Sequence, residues 1–84
     1  MGAPQTTVYI KVNRSCWPSG ELIGEVQAGS FEWTFAWHFR QDRLRLTPPL
    51  GSALISEALH RFLERHDYNL ELGEIYSFVL KARI

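Results

Sequence analysis

Apolar residues recur along this chain at two periods, and the clearest run at the shorter one is Phe31-Glu32-Trp33-Thr34-Phe35-Ala36-Trp37-His38-Phe39. Five aromatic side chains fall on alternate residues there. Successive side chains of a β-strand point to opposite faces, so one strand puts all five rings on one side, whereas a helix would scatter them. Fully burying one large side chain contributes roughly 1.5–3 kcal/mol. A strand with this face is therefore the expected centre of the core.

The same period of two continues on both sides. Thr7 to Asn13 reads as a first strand with Val8, Ile10 and Val12 on its apolar face, and Asn13 to Gly20 has the Pro/Gly content of a loop. Glu21 to Ala28 reads as a second strand, and Gly29-Ser30 suits a two-residue type II′ hairpin turn. That turn opposes Ala28 to Phe31, Val26 to Trp33, Gly24 to Phe35 and Leu22 to Trp37. A slip of one residue would set glutamates against the rings. Arg40-Gln41-Asp42-Arg43 is expected as a four-residue loop, which pairs Phe39 with Leu44, His38 with Arg45 and Trp37 with Leu46. Thr47-Pro48-Pro49 should end the fourth strand.

The longer period appears once. From Leu50 to about His66, residues Leu54, Ile55, Ala58, Leu59, Phe62 and Leu63 form one apolar arc, opposite Glu57, His60, Arg61 and Glu64. Ser52 is placed to cap this helix. After a loop over 67–73, Glu74 to Ile84 alternates as a last strand, expected to be partly buried on both faces. The order ββββαβ predicts an α+β fold: an antiparallel five-stranded sheet in order 5-1-2-3-4 with the helix on its aromatic face. The alternative is a small half-open barrel plugged by the helix. The whole of 1–84 is expected to be one domain, with 1–6 as a flexible lead-in.

Composition narrows the function classes. The chain is 45% apolar and 13% aromatic, enough for a packed core. Nine Lys and Arg balance nine Asp and Glu, which argues against a dominant charge-driven attraction to nucleic acid or anionic membrane. The single cysteine, Cys16, allows no internal disulfide and suits a reducing compartment. No signal-peptide pattern and no membrane-spanning apolar run is visible, so a cytoplasmic location is expected.

No catalytic, cofactor-binding or metal-ligating constellation emerges. His60 and His66 do not share a helical face, and no Cys or acid completes a ligand set at metal-site spacing. Cys16 has Arg14 nearby but no histidine close in sequence, and a partly buried thiol beside Trp17 is its expected state. The glycines are isolated, so no phosphate-binding loop can be assembled. A protein without enzymatic activity and without a cofactor is expected.

Two binding surfaces remain. Trp17, Tyr68 and Leu70 lie in loops and would anchor a protein partner if exposed. The outer sheet face would carry Lys11, His38, Arg40, Arg43, Arg45, Lys81 and Arg83, with Tyr9 among them, as single-stranded nucleic-acid binders do. Glu21, Glu25 and Glu32 interrupt that charge, and cross-strand ion pairs are its ordinary explanation. Another protein is therefore the expected partner, with the chain itself a monomer or weak homodimer and no membrane involved.

Tyr9-Ile10-Lys11-Val12, Phe31-Glu32-Trp33-Thr34-Phe35, Leu44-Arg45-Leu46-Thr47-Pro48, Ala58-Leu59-His60-Arg61-Phe62-Leu63 and Tyr76-Ser77-Phe78 together resemble a small uncharacterised cyanobacterial domain family. The resemblance spans nearly the whole chain. It implies no activity and brings no catalytic residues. A small accessory to a larger complex would be compatible with such a context.

Overall fold

The computed structural model describes residues 5–47 and 53–81. The elements are β1 (Thr6–Cys16), β2 (Glu21–Ala28), β3 (Phe31–His38), β4 (Arg43–Thr47), helix α1 (Ala53–His66), a short 3₁₀ turn (Asp67–Asn69) and β5 (Ile75–Leu80). They build one antiparallel sheet in the order β4-β3-β2-β1-β5, with β4 and β5 as its two open edges. This is the α+β sheet expected from the alternation, and it does not close into a barrel.

The β2–β3 hairpin has the predicted register along its whole length, Ala28 opposite Phe31 through Glu21 opposite His38. Gly29 supplies the positive φ (61°) that the first central position of a II′ turn requires. Gly24 is a packing necessity. A Cβ there would collide with Lys11 O of β1 and stand 2.7 Å from the Phe35 ring.

The core is the inner face of β1–β3 closed by the helix. Val8, Ile10, Val12, Leu22, Val26, Ala28, Trp33, Phe35 and Trp37 meet Ile55, Leu59 and Leu63. The helix seats itself on the row of every fourth residue, so Leu54, expected beneath it, falls at the margin and is exposed. Phe31, also expected in the core, is 50% exposed and stacks on Trp33 instead. Among the described residues, β4 pairs with β3 as far as Thr47, opposite Thr34.

Three further expectations change. Strand β1 continues to Cys16, because a bulge at Asn13 between Val12 and Arg14 absorbs one residue and restores the pairing with β2. The predicted loop therefore shrinks to the turn Trp17–Gly20. Pairing of β3 with β4 is displaced by two residues, Trp37 facing Leu44 and Phe35 facing Leu46, so the faces are kept. Phe39 leaves the ladder, and Asp42 closes the loop at φ 52°. Finally β5 is not covered on its outer side, where Ile75 and Val79 are 67% and 54% exposed. The Pro48-Pro49 stop, the Ser52 cap, and Ala82, Arg83 and Ile84 lie outside the described residues. No described helix is long and apolar enough to cross a membrane.

Candidate functional site

The β1–β2 turn is held from outside by the β3–β4 loop. Arg40 crosses it and donates from its two terminal nitrogens to Pro18 O (2.8 Å) and Trp17 O (2.9 Å). The aliphatic part of Arg40 lies over Gly20, whose φ of 75° makes the tight turn possible. Phe39 N–H donates to Gly20 O at 2.9 Å, and its ring meets the Trp17 indole at 4.7 Å between centroids. The Ser19 hydroxyl donates to Cys16 O. Trp17 is thus 48% exposed yet fixed on one side by a ring and at its carbonyl by a guanidinium. This corner has the makings of an anchor: a large aromatic surface already ordered before anything binds it.

The other two predicted anchors sit apart from it. Tyr68, 71% exposed, lies in the 3₁₀ turn that follows α1. Its neighbour Asp67 accepts a 2.9 Å hydrogen bond from Trp37 Nε1, which pins the turn to the core. Leu70 is half-buried and packs against the core, so it offers little to a partner. No ring contact joins Trp17 to Tyr68 among the described residues.

The basic residues of the alternative, nucleic-acid reading are spread over the outer sheet face and its margins, with glutamates among them. Arg43 and Arg45 are exposed on edge strand β4, Lys11 is on β1 beside Glu25, and His38 pairs with Glu21 at 3.1 Å. Arg40, counted with them in the sequence, spends its guanidinium on the turn carbonyls instead. Lys81 is exposed just past β5, and Arg83 lies outside the described residues. Tyr9 is half-exposed but flanked by Gln27 and Ser77, with Glu25 and Glu32 between it and the β4 arginines. The side chains diagonal to Tyr9 on β5 are Ile75 and Val79. Its surroundings are therefore mixed: polar partners on either side, Lys11 paired across to Glu25, and two apolar side chains on the diagonals.

Two groups bear on chemistry. The Cys16 thiol is exposed, not partly buried as expected. The Ser19 hydroxyl and backbone hold the thiol below its ordinary pKa, with Arg14 adding to the effect. Its cross-strand neighbour is Glu21, and His38 lies one strand further on, so thiol and imidazole are not paired. A second cluster joins Asp42, His60 and Glu64. Nε2 of His60 meets Asp42 Oδ1 at 2.7 Å and Glu64 Oε1 at 3.0 Å, and the three ligand-type atoms lie within 4.8 Å of one another. The His60 bond holds the Asp42 carboxyl below the usual carboxylate range. The i, i+4 spacing of His60 and Glu64 is legible in the sequence, whereas Asp42 arrives from a loop 18 residues away. All three are a third or more exposed, and His60 already bridges the two carboxylates in a hydrogen-bonded cluster that fastens the loop to the helix.

A recess of about 300 Å³ opens beside the end of β4, lined by Glu25, Gln27, Glu32, Trp33, Thr34 and Thr47 among others. It holds carboxylates but neither Cys16 nor a histidine.

Residues 4–83 match the model of a family described as a protein of unknown function, DUF3146. The chain belongs to that family. No curated protein and no solved structure matches it.

Proposed function

We propose that this member of a family of unknown function is a protein-interaction domain without catalytic activity, working in a reducing compartment such as the cytoplasm. The observation that carries this is the Trp17 corner. Interface energy concentrates in a few aromatic and arginine residues, and ordering a mobile side chain on binding costs about 0.5–1.5 kcal/mol. Here that ordering is done beforehand by Phe39 and Arg40, so the exposed indole can meet a partner with little further loss. Single-stranded nucleic acid is the less favoured partner. Glutamates separate Tyr9 from the β4 arginines, and a balanced net charge supplies no long-range attraction toward a polyanion. The non-catalytic reading is supported by the separation of Cys16 from the nearest imidazole on its sheet face, and by the Asp42–His60–Glu64 cluster, in which His60 already bridges the two carboxylates.

The test is affinity capture from lysate with and without nuclease. It compares wild type with Trp17→Ala, Arg40→Ala and Arg43→Glu/Arg45→Glu. A specific, nuclease-resistant partner should be lost with Trp17→Ala, weakened by Arg40→Ala and kept by the β4 double variant. Recovery that disappears with nuclease and with the β4 charges, and ignores Trp17, would favour nucleic acid instead.

A further inference from the structure

Beyond the Trp17 corner, strand β5 forms an open edge of the sheet. We propose that this edge is a self-association surface, two copies pairing β5 to β5 antiparallel about a two-fold axis to make one continuous sheet. Natural edge strands are normally blunted by lysine, proline, a bulge or a covering element. Ile75–Leu80 contains no charge and no proline, and pairs with β1 over six consecutive residues without a bulge.

The backbone is oriented for such a pairing. Lys11 O lies against Gly24 of β2, while Val12 O accepts from Gly73 N–H on the other side of β1. Alternate residues of an antiparallel strand serve alternate neighbours. Val8 and Ile10 therefore serve their partners Phe78 and Tyr76, and Ile75, Ser77 and Val79 turn their N–H and C=O groups to the open side.

The side chains then select a second copy as the occupant. With Ser77 opposite Ser77 of the second copy, Ile75 meets Val79 twice on the outer face and Tyr76 meets Phe78 twice on the helix face. The same register sets Glu74 opposite Leu80 of the second copy. Leu80 lies at a groove of about 540 Å³ between α1 and β5, lined also by Arg61, Phe62, Arg65 and Phe78. Arg61 and Arg65 are like charges one helical turn apart, an unfavourable spacing. Arg65 has no ion pair among the described residues, and neither does Glu74. Two-fold symmetry supplies each groove with the other copy's Glu74. A register centred on Phe78 would instead oppose Ile75 to Lys81 and take Glu74 out of the groove.

Sedimentation velocity over a concentration series reads this directly. Wild type should convert from monomer to dimer as concentration rises. Ser77→Pro should stay monomeric with an unchanged circular dichroism spectrum, since proline is tolerated where the N–H faces an open edge. Glu74→Arg should raise the dimer Kd roughly tenfold, because both symmetric contacts become repulsive, and Glu74→Arg/Arg65→Glu should restore it. Should Ser77→Pro fail to fold, the charge reversal and its rescue decide alone. A wild-type chain still monomeric at about 1 mM, where association is worth only about −4 kcal/mol, overturns the proposal. So does a dimer indifferent to both Ser77→Pro and Glu74→Arg, or one abolished by Trp17→Ala instead. The Trp17 reading is judged separately, by heterologous capture that Ser77→Pro leaves intact.

Discussion

Strands β3 and β5 share a pattern and have different fates. Each alternates large apolar side chains toward the helix: Trp33, Phe35 and Trp37 on β3, Tyr76, Phe78 and Leu80 on β5. The three on β3 are buried, whereas those on β5 are only half-covered. The outer faces differ too, with Thr34, Ala36 and His38 on β3 against Ile75, Ser77 and Val79 on β5. Alternation settles which way a side chain points; position in the sheet and under the helix settles how much water it keeps. The helix is moreover fastened on one flank, by His60 to Asp42 in the β3–β4 loop and by Trp37 to Asp67 just past its end. Its β5 flank is held by ring contacts such as Phe62 on Phe78, and there the groove opens.

The widest gap between the two strands should appear on truncation. Phe35→Ala removes a fully buried ring and is expected to cost about 3–5 kcal/mol. Phe78→Ala, at a ring only partly buried, should cost less, about 1–2 kcal/mol. Urea unfolding at low protein concentration measures both. Equal losses would mean that β5 belongs to the core as fully as β3 does.

Next in size is Gly24→Ala. The added methyl would meet Lys11 O and the Phe35 ring, so strand β2 would have to shift against both neighbours. Overpacking of this kind costs about 1–3 kcal/mol, and the same unfolding measurement reads it. A neutral result would show that the β1–β2–β3 side is as yielding as the β5 side.

How far the sequence reaches follows the same division. The β2–β3 register was legible because each inner residue had to match a ring and each outer one a polar neighbour. The β3–β4 register was legible in face but not in phase, since a shift of two keeps every side chain on its side. What selects it is Phe39 leaving to pack on Trp17, a contact across 22 residues. For the same reason the Trp17 corner was visible as an exposed-aromatic candidate, but its clamp was not. Arg40 reads as one more cation until the fold brings it over Gly20. The bulge at Asn13 leaves no composition signal, so the sequence pattern ends β1 short of Cys16. The exposed outer face of β5 is not legible, because apolar residues on both sides of a strand read as burial on both sides.

The fastened flank of the helix predicts a pH dependence. Asp42 has its carboxyl pKa lowered in the fold by the His60 bond. A depressed folded value means stability that is present above the unfolded carboxylate pKa, about 3.9, and lost as pH falls through the lower folded one. Asp42→Asn keeps a residue type tolerant of positive φ but removes the charge. Melting temperatures of the two proteins should differ near neutrality and converge as pH drops below about 4. A gap that is unchanged at acid pH would mean the loop–helix bond does not hold that flank.

The smallest expected effect is the most discriminating one for the comparison. Ile75→Thr/Val79→Thr replaces two large exposed apolar residues by a β-branched polar type that suits a strand equally well. In the isolated chain neither side chain is buried, so unfolding at low micromolar concentration should change by no more than about 0.5 kcal/mol, as at ordinary surface sites. Their counterparts on β3, Thr34 and Ala36, are already small, because that outer face is asked only to meet water. If the double variant is neutral as a monomer, the apolar outer face of β5 contributes nothing to folding and stands free for intermolecular contact. A loss of 2 kcal/mol or more, on the scale of a buried side chain, would instead place Ile75 and Val79 in the folding core and erase the distinction between the two strands.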